Sequence, residues 1–309
     1  MDEFALIRRY FTDRGARRED VRIGVGDDAA VLRPPPGHEL LLTTDSLIAG
    51  RHFPDQGFPP EALGHRALAI NLSDIAAMGG TPAWALLALT LPEVREEWIA
   101  EFADGFSLLA ERCEVALVGG NIARGPLAAT VTVTGFAATG EALVRSGAQA
   151  GDALFASGAL GGGAAGLRAF IGGAAVDAPE VAAYAWPEPR LRAGQALATL
   201  AHAAIDISDG LVGDLAKLLA ASGDLGAELE AHALPLAFGA NLGDALGPSD
   251  DYELLVAVPE SAVGAVESLS DADPGCALTR IGRITPQPGI RLDGRSVSAR
   301  ALGGYRHFE

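Results

Sequence analysis

At 309 residues, with 49% hydrophobic and 20% charged residues, the chain can bury more than one core, and two domains of about 150 residues each are the natural division. A formal net charge of −17 excludes a nucleic-acid binder, which needs a basic footprint. The longest apolar run, near Ala83 to Leu91, is far short of the roughly 20 residues that span a bilayer. The opening Asp2, Glu3, Arg8 and Arg9 are too charged for a signal peptide, and Cys113 and Cys276 allow one bridge at most, so a reducing cytoplasm and no membrane are expected.

Met1 to Arg18 reads as an amphipathic helix, with Phe4, Leu6, Ile7, Tyr10 and Phe11 among charges. Val21 to Val25 is a short extended run broken by Gly26-Asp27-Asp28. Ala29 to Arg33 and Glu39 to Thr44 are strand candidates on either side of Pro34-Pro35-Pro36-Gly37. Paired as a hairpin, they would set Asp28 beside Thr43, Thr44 and Asp45. Gly50 to Pro60 reads as an exposed loop in which His52 is solvated by default and touches substrate in the sharper reading.

From Ala62 a helix-periodic run leads to Asn71-Leu72-Ser73-Asp74-Ile75-Ala76-Ala77-Met78-Gly79-Gly80. Leu63, Ala67, Ile70 and Asp74 share one face, and the glycines close the helix. A carboxylate in the last turn faces the negative end of the helix dipole. Two readings fit Asp74 equally: satisfied by an Arg or by backbone amides, or bound to a cation.

Trp84 to Leu91 is a strand and Glu96 to Cys113 an amphipathic helix. Val115 to Val118 and Ala128 to Ala137 are strands joined through Gly119-Gly120-Asn121-Ile122 and a turn at Gly125-Pro126. This order suits a mixed α+β domain with a largely antiparallel sheet. The pattern resets around Gly140 to Asp152, giving domains at residues 1–140 and 141–309. Beyond it come a strand at Ala153 to Ser157, the glycine run Gly158 to Gly163, and helical segments punctuated by Pro187 and Pro189. Ala204 to Ile207 is extended, and Ser208 or Asp209 is placed to cap a helix reaching about Ala221. Tyr252 to Val258 and Ala277 to Ile284 are strands, and Asp293-Gly294 makes a hairpin turn.

Six aspartates stand at element ends: Asp27, Asp28, Asp45, Asp74, Asp206 and Asp209. Singly, each is ordinary turn or cap chemistry. Gathered without interleaved Lys or Arg they repel one another, and oxygen-only donors favour magnesium over zinc. Magnesium held by carboxylates and completed by phosphate oxygens is the arrangement of nucleotide-dependent phosphoryl transfer. Gly119-Gly120 and Gly158 to Gly163 can offer N–H groups to phosphate, although neither is a Walker motif and each also reads as a tight turn. Arg145 is either a surface charge or a phosphate clamp.

Taken in order, Gly26-Asp27-Asp28-Ala29-Ala30, Thr43-Thr44-Asp45-Ser46-Leu47, Gly50-Arg51-His52-Phe53, Asn71 to Gly79, Gly119-Gly120, Arg145-Ser146-Gly147-Ala148, Ile205 to Leu211, Asp251-Tyr252-Glu253-Leu254 and Gly304 to Phe308 resemble the thiamine-monophosphate kinase family of the PurM-like (aminoimidazole-ribonucleotide-synthetase-like) superfamily. The resemblance covers nearly the whole chain. It implies a two-domain α+β (mixed α/β) fold and a homodimer acting on small molecules. ATP and several magnesium ions would gather over the N-terminal domain, and the γ-phosphoryl group would pass directly to thiamine monophosphate. By position, Asp28, Thr43, Thr44, Asp45, Asp74, Asn121, Asp206 and Asp209 would hold metal, with Asp28, Asp45, Asp74 and Asp209 central to catalysis. Gly120, Asn121, Arg145 and Ser208 would meet ATP, and His52, Asp250 and Tyr305 the thiamine phosphate.

Three departures from the family pattern stand out. Asn121 replaces an Asp, which removes a charge from a metal contact. Asp250 in Pro248-Ser249-Asp250-Asp251-Tyr252 replaces a longer Glu. Gly161-Gly162-Gly163 lacks its usual acid. These motivate an alternative, a catalytically weakened paralogue that binds the same ligands. Another PurM-like synthetase is a third reading, although the N-terminal catalytic Cys of selenophosphate synthetases is absent.

Overall fold

The computed structural model describes residues 3–297 and divides into two compact units. Of the described residues, the first unit comprises those up to 75 together with 81–140, and the second comprises 76–80 and those from 141 onward. Tyr305 lies outside the described residues.

The helices are α1 (Glu3–Tyr10), α2 (Pro60–Ala77), α3 (Glu96–Arg112), α4 (Gly162–Ile171), α5 (Ala182–Ala185), α6 (Leu191–Leu197), α7 (Leu211–Ala221), α8 (Leu242–Leu246) and α9 (Val263–Ala272). The strands of the first unit are β1 (Val21–Ile23), β2 (Val31–Leu32), β3 (His38–Ile48), β4 (Thr81–Leu91), β5 (Ala116–Arg124) and β6 (Ala128–Ala138). Those of the second are β7 (Ala153–Ser157), β8 (Ala203–Ile207), β9 (Gly226–Leu229), β10 (Glu253–Val258), β11 (Leu278–Thr285), β12 (Gly289–Leu292) and β13 (Arg295–Val297).

In the first unit the main sheet has the order β3-β6-β4-β5. Its β3–β6 and β4–β6 pairs are antiparallel and its β4–β5 pair is parallel. One face of β3 carries Leu41 and Leu47, both buried, and Thr43 between them reaches α2. The β6 residues Val131 and Val133, paired with Asp45 and Thr43, are fully buried on the same side. Alternation sends Leu40, Leu42, Thr44, Ser46 and Ile48 to the opposite face. Helices α2 and α3 cross closely because Gly64 and Gly105 have no side chains. A Cβ on Gly64 would fall 2.0 Å from the Phe102 carbonyl oxygen, and one on Gly105 2.0 Å from that of Glu61.

Several expectations from the sequence are corrected here. The opening helix ends at Tyr10, and the segment beyond it pairs alongside β5 instead, with Ala16 donating to the Val115 carbonyl at 2.8 Å. Gly15 permits this approach at φ +75°, because a Cβ there would lie 2.5 Å from Val115 O. The hairpin between the strands flanking Pro34 to Pro36 does not form: β2 pairs with β1, and β3 pairs along its whole length with β6. Three consecutive prolines lack the N–H donors a tight hairpin turn uses, and an eleven-residue partner offers β3 far more ladder than two-residue β2. The segment Gly119 to Ile122 is a continuation of β5 rather than a loop. The Gly50 to Pro60 stretch is not simply exposed, since Phe53 and Phe58 are buried with ring centroids 5.9 Å apart.

The second unit is built on a sheet of order β13-β12-β9-β11-β7-β10-β8. Strands β7 and β10 and the edge strand β8 are buried along their full length, and alternation divides their side chains between two cores. Leu154, Ala156, Ile205, Ile207, Leu255 and Ala257 pack with Leu211, Leu215 and Leu218 of α7. Ala153, Phe155, Ala204, Leu254 and Val256 pack with Leu197 of α6 and Val266 of α9. Helices therefore cover both faces. Asp293-Gly294 forms the two-residue turn between β12 and β13, both residues at positive φ.

Candidate functional site

In the first unit a cavity of about 730 Å³ opens against the sheet. Phe4, Ile7 and Phe11 give it an apolar wall. Asp27, Asp28, Asn121 and Thr132 give it polar groups, with Gly119 and Gly120 presenting backbone. The Asp27 carboxylate accepts from the Asp28 N–H at 2.8 Å, which shapes the turn after Gly26.

Gly120 sits where β5 presses on β4. Its φ is +146°, and a Cβ would fall 1.9 Å from the Leu87 carbonyl oxygen. The register between the two strands shifts next to this contact, between Ala85 and Leu86. Such a bulge re-aims backbone groups, and here it does so in the cavity wall.

Thr43 and Thr44 point to opposite sides of β3. The Thr43 hydroxyl donates to Asp74 of α2. Thr44 donates to the Val131 carbonyl at 3.1 Å and accepts from Thr132 at 3.0 Å, so it adjoins the cavity wall. Asp45 follows Thr43 in the alternation and is exposed. Asp74 is half-buried although Leu72, Ser73 and Ile75 around it are fully buried. The open question at Asp74 thus gains one named partner, the Thr43 hydroxyl. His52 is half-buried, and its Nδ1 accepts from the Ile48 N–H at 3.0 Å, so the ring is not a solvated one. An accepting Nδ1 places the proton of the neutral ring on Nε2.

In the second unit, β8 ends at buried Asp206 and Ile207 and passes into Ser208-Asp209-Gly210. Neither Ser208 nor Asp209 caps α7. Gly210 holds the cap position at φ +112° without a side-chain bond, because a Cβ there would strike the Gly247 carbonyl oxygen at 2.0 Å. The loop is instead organised from below by Asp214, whose Oδ2 accepts from the N–H groups of Ser208, Asp209 and Gly210 at 3.0, 2.9 and 3.1 Å. Burial pushes the Asp214 carboxyl up, against the opposing pull of Lys217. Lys217 bridges Asp214 Oδ1, at 2.8 Å, and Asp209. Burial works against the Lys217 charge, but its bonds to the two carboxylates prevail and its pKa is raised.

The glycine run is a structural turn. The Gly161 and Gly163 N–H groups donate to Asp251 at 2.8 and 3.0 Å, Gly158 donates to Ala277 O, and Leu160 to Pro235 O. Ser249 adds a third donor to Asp251 at 2.7 Å. Burial raises the Asp251 pKa despite these bonds. Asp250 is half-buried, with its backbone against Gly163, where a Cβ would come within 2.5 Å of the Asp250 carbonyl oxygen.

Arg145 is exposed, and its carbonyl accepts from Ser222, the residue that closes α7. Ser208 lies beyond the other end of that eleven-residue helix, about 16 Å away along its axis. Within this unit the two expected nucleotide contacts are therefore not adjacent. Asp214, Lys217 and Asp251 were not assigned a role from the sequence. The available signal was a second acid five residues after Asp209 and a lysine one turn later, on one face of a helix.

Among the described residues no three His, Cys, Asp or Glu side chains stand close enough together to hold a metal. Oxygen donors occur singly or in pairs, as at Thr43 and Asp74. Such a set fits magnesium, which keeps few protein ligands and takes others from phosphate or water. It does not fit a preformed all-protein cage.

Comparison with known proteins gives a consistent picture. Residues 26–139 match the family model "AIR synthase related protein, N-terminal domain" and residues 149–295 its C-terminal counterpart. The thiamine-monophosphate kinase of Escherichia coli K12 is 42% identical, over 99% of this chain and 98% of its own. That of Haemophilus influenzae is 38% identical over 100% and 98%. The crystal structure of thiamine-monophosphate kinase from Stenotrophomonas maltophilia K279a superposes with a TM-score of 0.85 at 39% identity, covering 91% of this chain and 93% of that one. AaThiL complexed with AMPPCP and TMP follows at 0.78 and 32% identity, with 92% of each chain covered.

Proposed function

Because the chain belongs to the thiamine-monophosphate kinase family, we propose that it transfers the γ-phosphoryl group of ATP directly to thiamine monophosphate, giving thiamine diphosphate and ADP. The observation that carries this reading is the first-unit cavity, whose size suits a nucleotide-scale ligand and whose walls join apolar α1 side chains to Asp27, Asp28 and Asn121.

Both substrates carry phosphate and repel one another, so the catalytic problem is to hold two anions close. In the first unit Asp28, Thr43, Thr44, Asp45, Asp74 and Asn121 would hold magnesium, and in the second Asp206 and Asp209. Bound there, the metal would neutralise charge on the transferring phosphoryl group. The chain's own part is positioning. The register shift beside Gly120 sets Asn121 in the cavity wall, and Thr43 fixes one oxygen of Asp74 so that the other keeps its direction. Ser208 meets nucleotide from a loop whose shape Asp214 fixes. His52, with Nδ1 engaged by Ile48, presents Nε2–H as a donor to thiamine phosphate. Asp250 and Tyr305 complete the substrate contacts, and Arg145 contributes to nucleotide binding. Catalysis on this account is orientation and electrostatics, with no covalent intermediate.

The enzyme acts in the cytoplasm and works as a pair. Support for pairing comes from the outer face of β3, where Leu40 and Leu42 stand 46% and 67% exposed. A second copy would cover such a face. Leu42→Glu is expected to convert a dimer into monomers in light scattering, and a wild-type monomer would refute the pairing.

The deciding assay incubates the pure protein with ATP, magnesium and thiamine monophosphate and follows thiamine diphosphate. Product in one-to-one ratio with ADP is expected. Tight ligand binding without product at any magnesium concentration would support the weakened paralogue that Asn121 and Asp250 suggest.

A further inference from the structure

The loop Ser208-Asp209-Gly210 contains a metal-binding acid that already has a cation. Lys217 Nζ contacts Asp209 Oδ2 at 2.5 Å and Asp214 Oδ1 at 2.8 Å. The two carboxylates differ in kind. The Asp214 side chain is only 1% exposed, and its other oxygen is committed to three backbone N–H groups. The Asp209 side chain is 35% exposed and Lys217 43%. The lysine therefore has one permanent, buried partner and one that faces solvent.

We propose that Lys217 is the resident counter-ion of Asp209, occupying this carboxylate while no divalent cation is bound and yielding it, without leaving Asp214, when one arrives. The inference rests on the assignment of Asp209 as a metal ligand made above.

The physical reasons are three. A buried carboxylate beside a second one repels it, and a bridging ammonium removes that repulsion. The four-carbon lysine stem carries three rotatable donors, so giving up one acceptor leaves the other bond intact. A lysine that keeps Asp214 also remains within one turn of the loop, so the loop does not lose its supporting charge when Asp209 changes partner. Asp214 itself stays a positioning residue throughout, because its three N–H bonds do not involve Lys217.

A competitor in the apo protein weakens apparent cation affinity by the strength of the pair it must break. For a half-exposed ion pair that is about fivefold. Lys217→Gln removes the charge while keeping a donor for Asp214, and Lys217→Arg keeps the charge. The full-length protein is held at saturating AMPPCP, and its thermal midpoint is followed against magnesium concentration. Lys217→Gln is expected to reach half-effect at about one-fifth of the wild-type magnesium concentration, with Lys217→Arg near wild type. In an Asp209→Asn background the Gln substitution is expected to leave the half-effect magnesium concentration where it is, whatever it does to the midpoint itself. A merely structural lysine would lower the midpoint equally at every magnesium concentration, leaving the half-effect point in place, and that result overturns the proposal. If Asp209→Asn alone leaves the magnesium titration unchanged, Asp209 is not a ligand and the metal assignment fails with it. If Asp209→Asn weakens the response but Lys217→Gln does not sharpen it, the metal assignment stands and only the counter-ion role falls.

Discussion

Gly120→Ala tests whether the cavity wall depends on a strand contact that only glycine permits. The added Cβ would lie 1.9 Å from Leu87 O, 2.7 Å from Leu87 C and 2.8 Å from Leu87 N, all main-chain atoms of the neighbouring strand. An ordinary carbon–oxygen contact is about 3.3 Å, so β5 must retreat from β4 by roughly 1.4 Å on this arithmetic. Holding a non-glycine residue at φ +146° adds about 1–3 kcal/mol, and the overpacking adds about 1–3 kcal/mol more. The variant should therefore lose about 2–6 kcal/mol in urea unfolding. Any folded fraction carries Asn121 displaced by about an ångström, which typically costs some 100-fold in rate. An Ala variant within about 1 kcal/mol of wild type, with an unchanged KM for ATP, would refute the bulge as the device that aims this wall.

Asp74→Asn keeps an oxygen for the Thr43 hydroxyl and removes the charge, so turnover should fall by at least about 100-fold while circular dichroism and the melting curve stay near wild type. Near-normal activity would end the metal role. Asp251→Ala strips acceptors from two buried N–H groups and from Ser249, at about 1–3 kcal/mol for each buried donor left unmet. A loss below about 1 kcal/mol in unfolding would show that the glycine run holds itself. Since burial raises the Asp251 pKa above its unfolded value, the folded state binds this proton more tightly. Its stabilising contribution is then fullest below the unfolded value of about 3.9 and falls as pH climbs through the folded value. The stability advantage of wild type over Asp251→Asn should accordingly shrink from pH 4 towards neutrality, and an advantage that widens would reverse the sign argued here.

Local signals were legible wherever a short stretch determines its own structure. The run Ala153 to Ser157 and the Asp293-Gly294 turn appear where composition put them, since short apolar runs bounded by glycine and positive-φ turn residues act within a few positions. Gly79, at φ +67°, closes α2 as read. Pairing partners were not legible. β3 chose β6 over its neighbour in sequence because ladder length and a buried face outweigh proximity. Gly119-Gly120 looked like a loop because glycine is a poor strand former, yet the close β4 contact requires that absence of side chain. The ligand candidates were visible as acids at element ends, but their supports were not. Asp214 and Lys217 matter through contacts with three consecutive backbone N–H groups and one side chain, and only the folded loop brings those together.

The β3–β6 ladder also sets a schedule for synthesis. Ile48 pairs with Ala128 and His38 with Ala138, so partners are separated by 80 to 100 positions, the differences of those numbers. At ribosomal rates of about 5–20 residues per second, β3 emerges some seconds before anything can complete its ladder. During that interval Leu40-Leu41-Leu42 is an unpaired apolar strand, the kind of segment that chaperones bind and that aggregates when they are scarce. Slowing elongation between residues 48 and 128 should lower soluble yield more than slowing it after residue 138, because the same strand whose outer face is offered to a second copy is the last of its sheet to be sheltered.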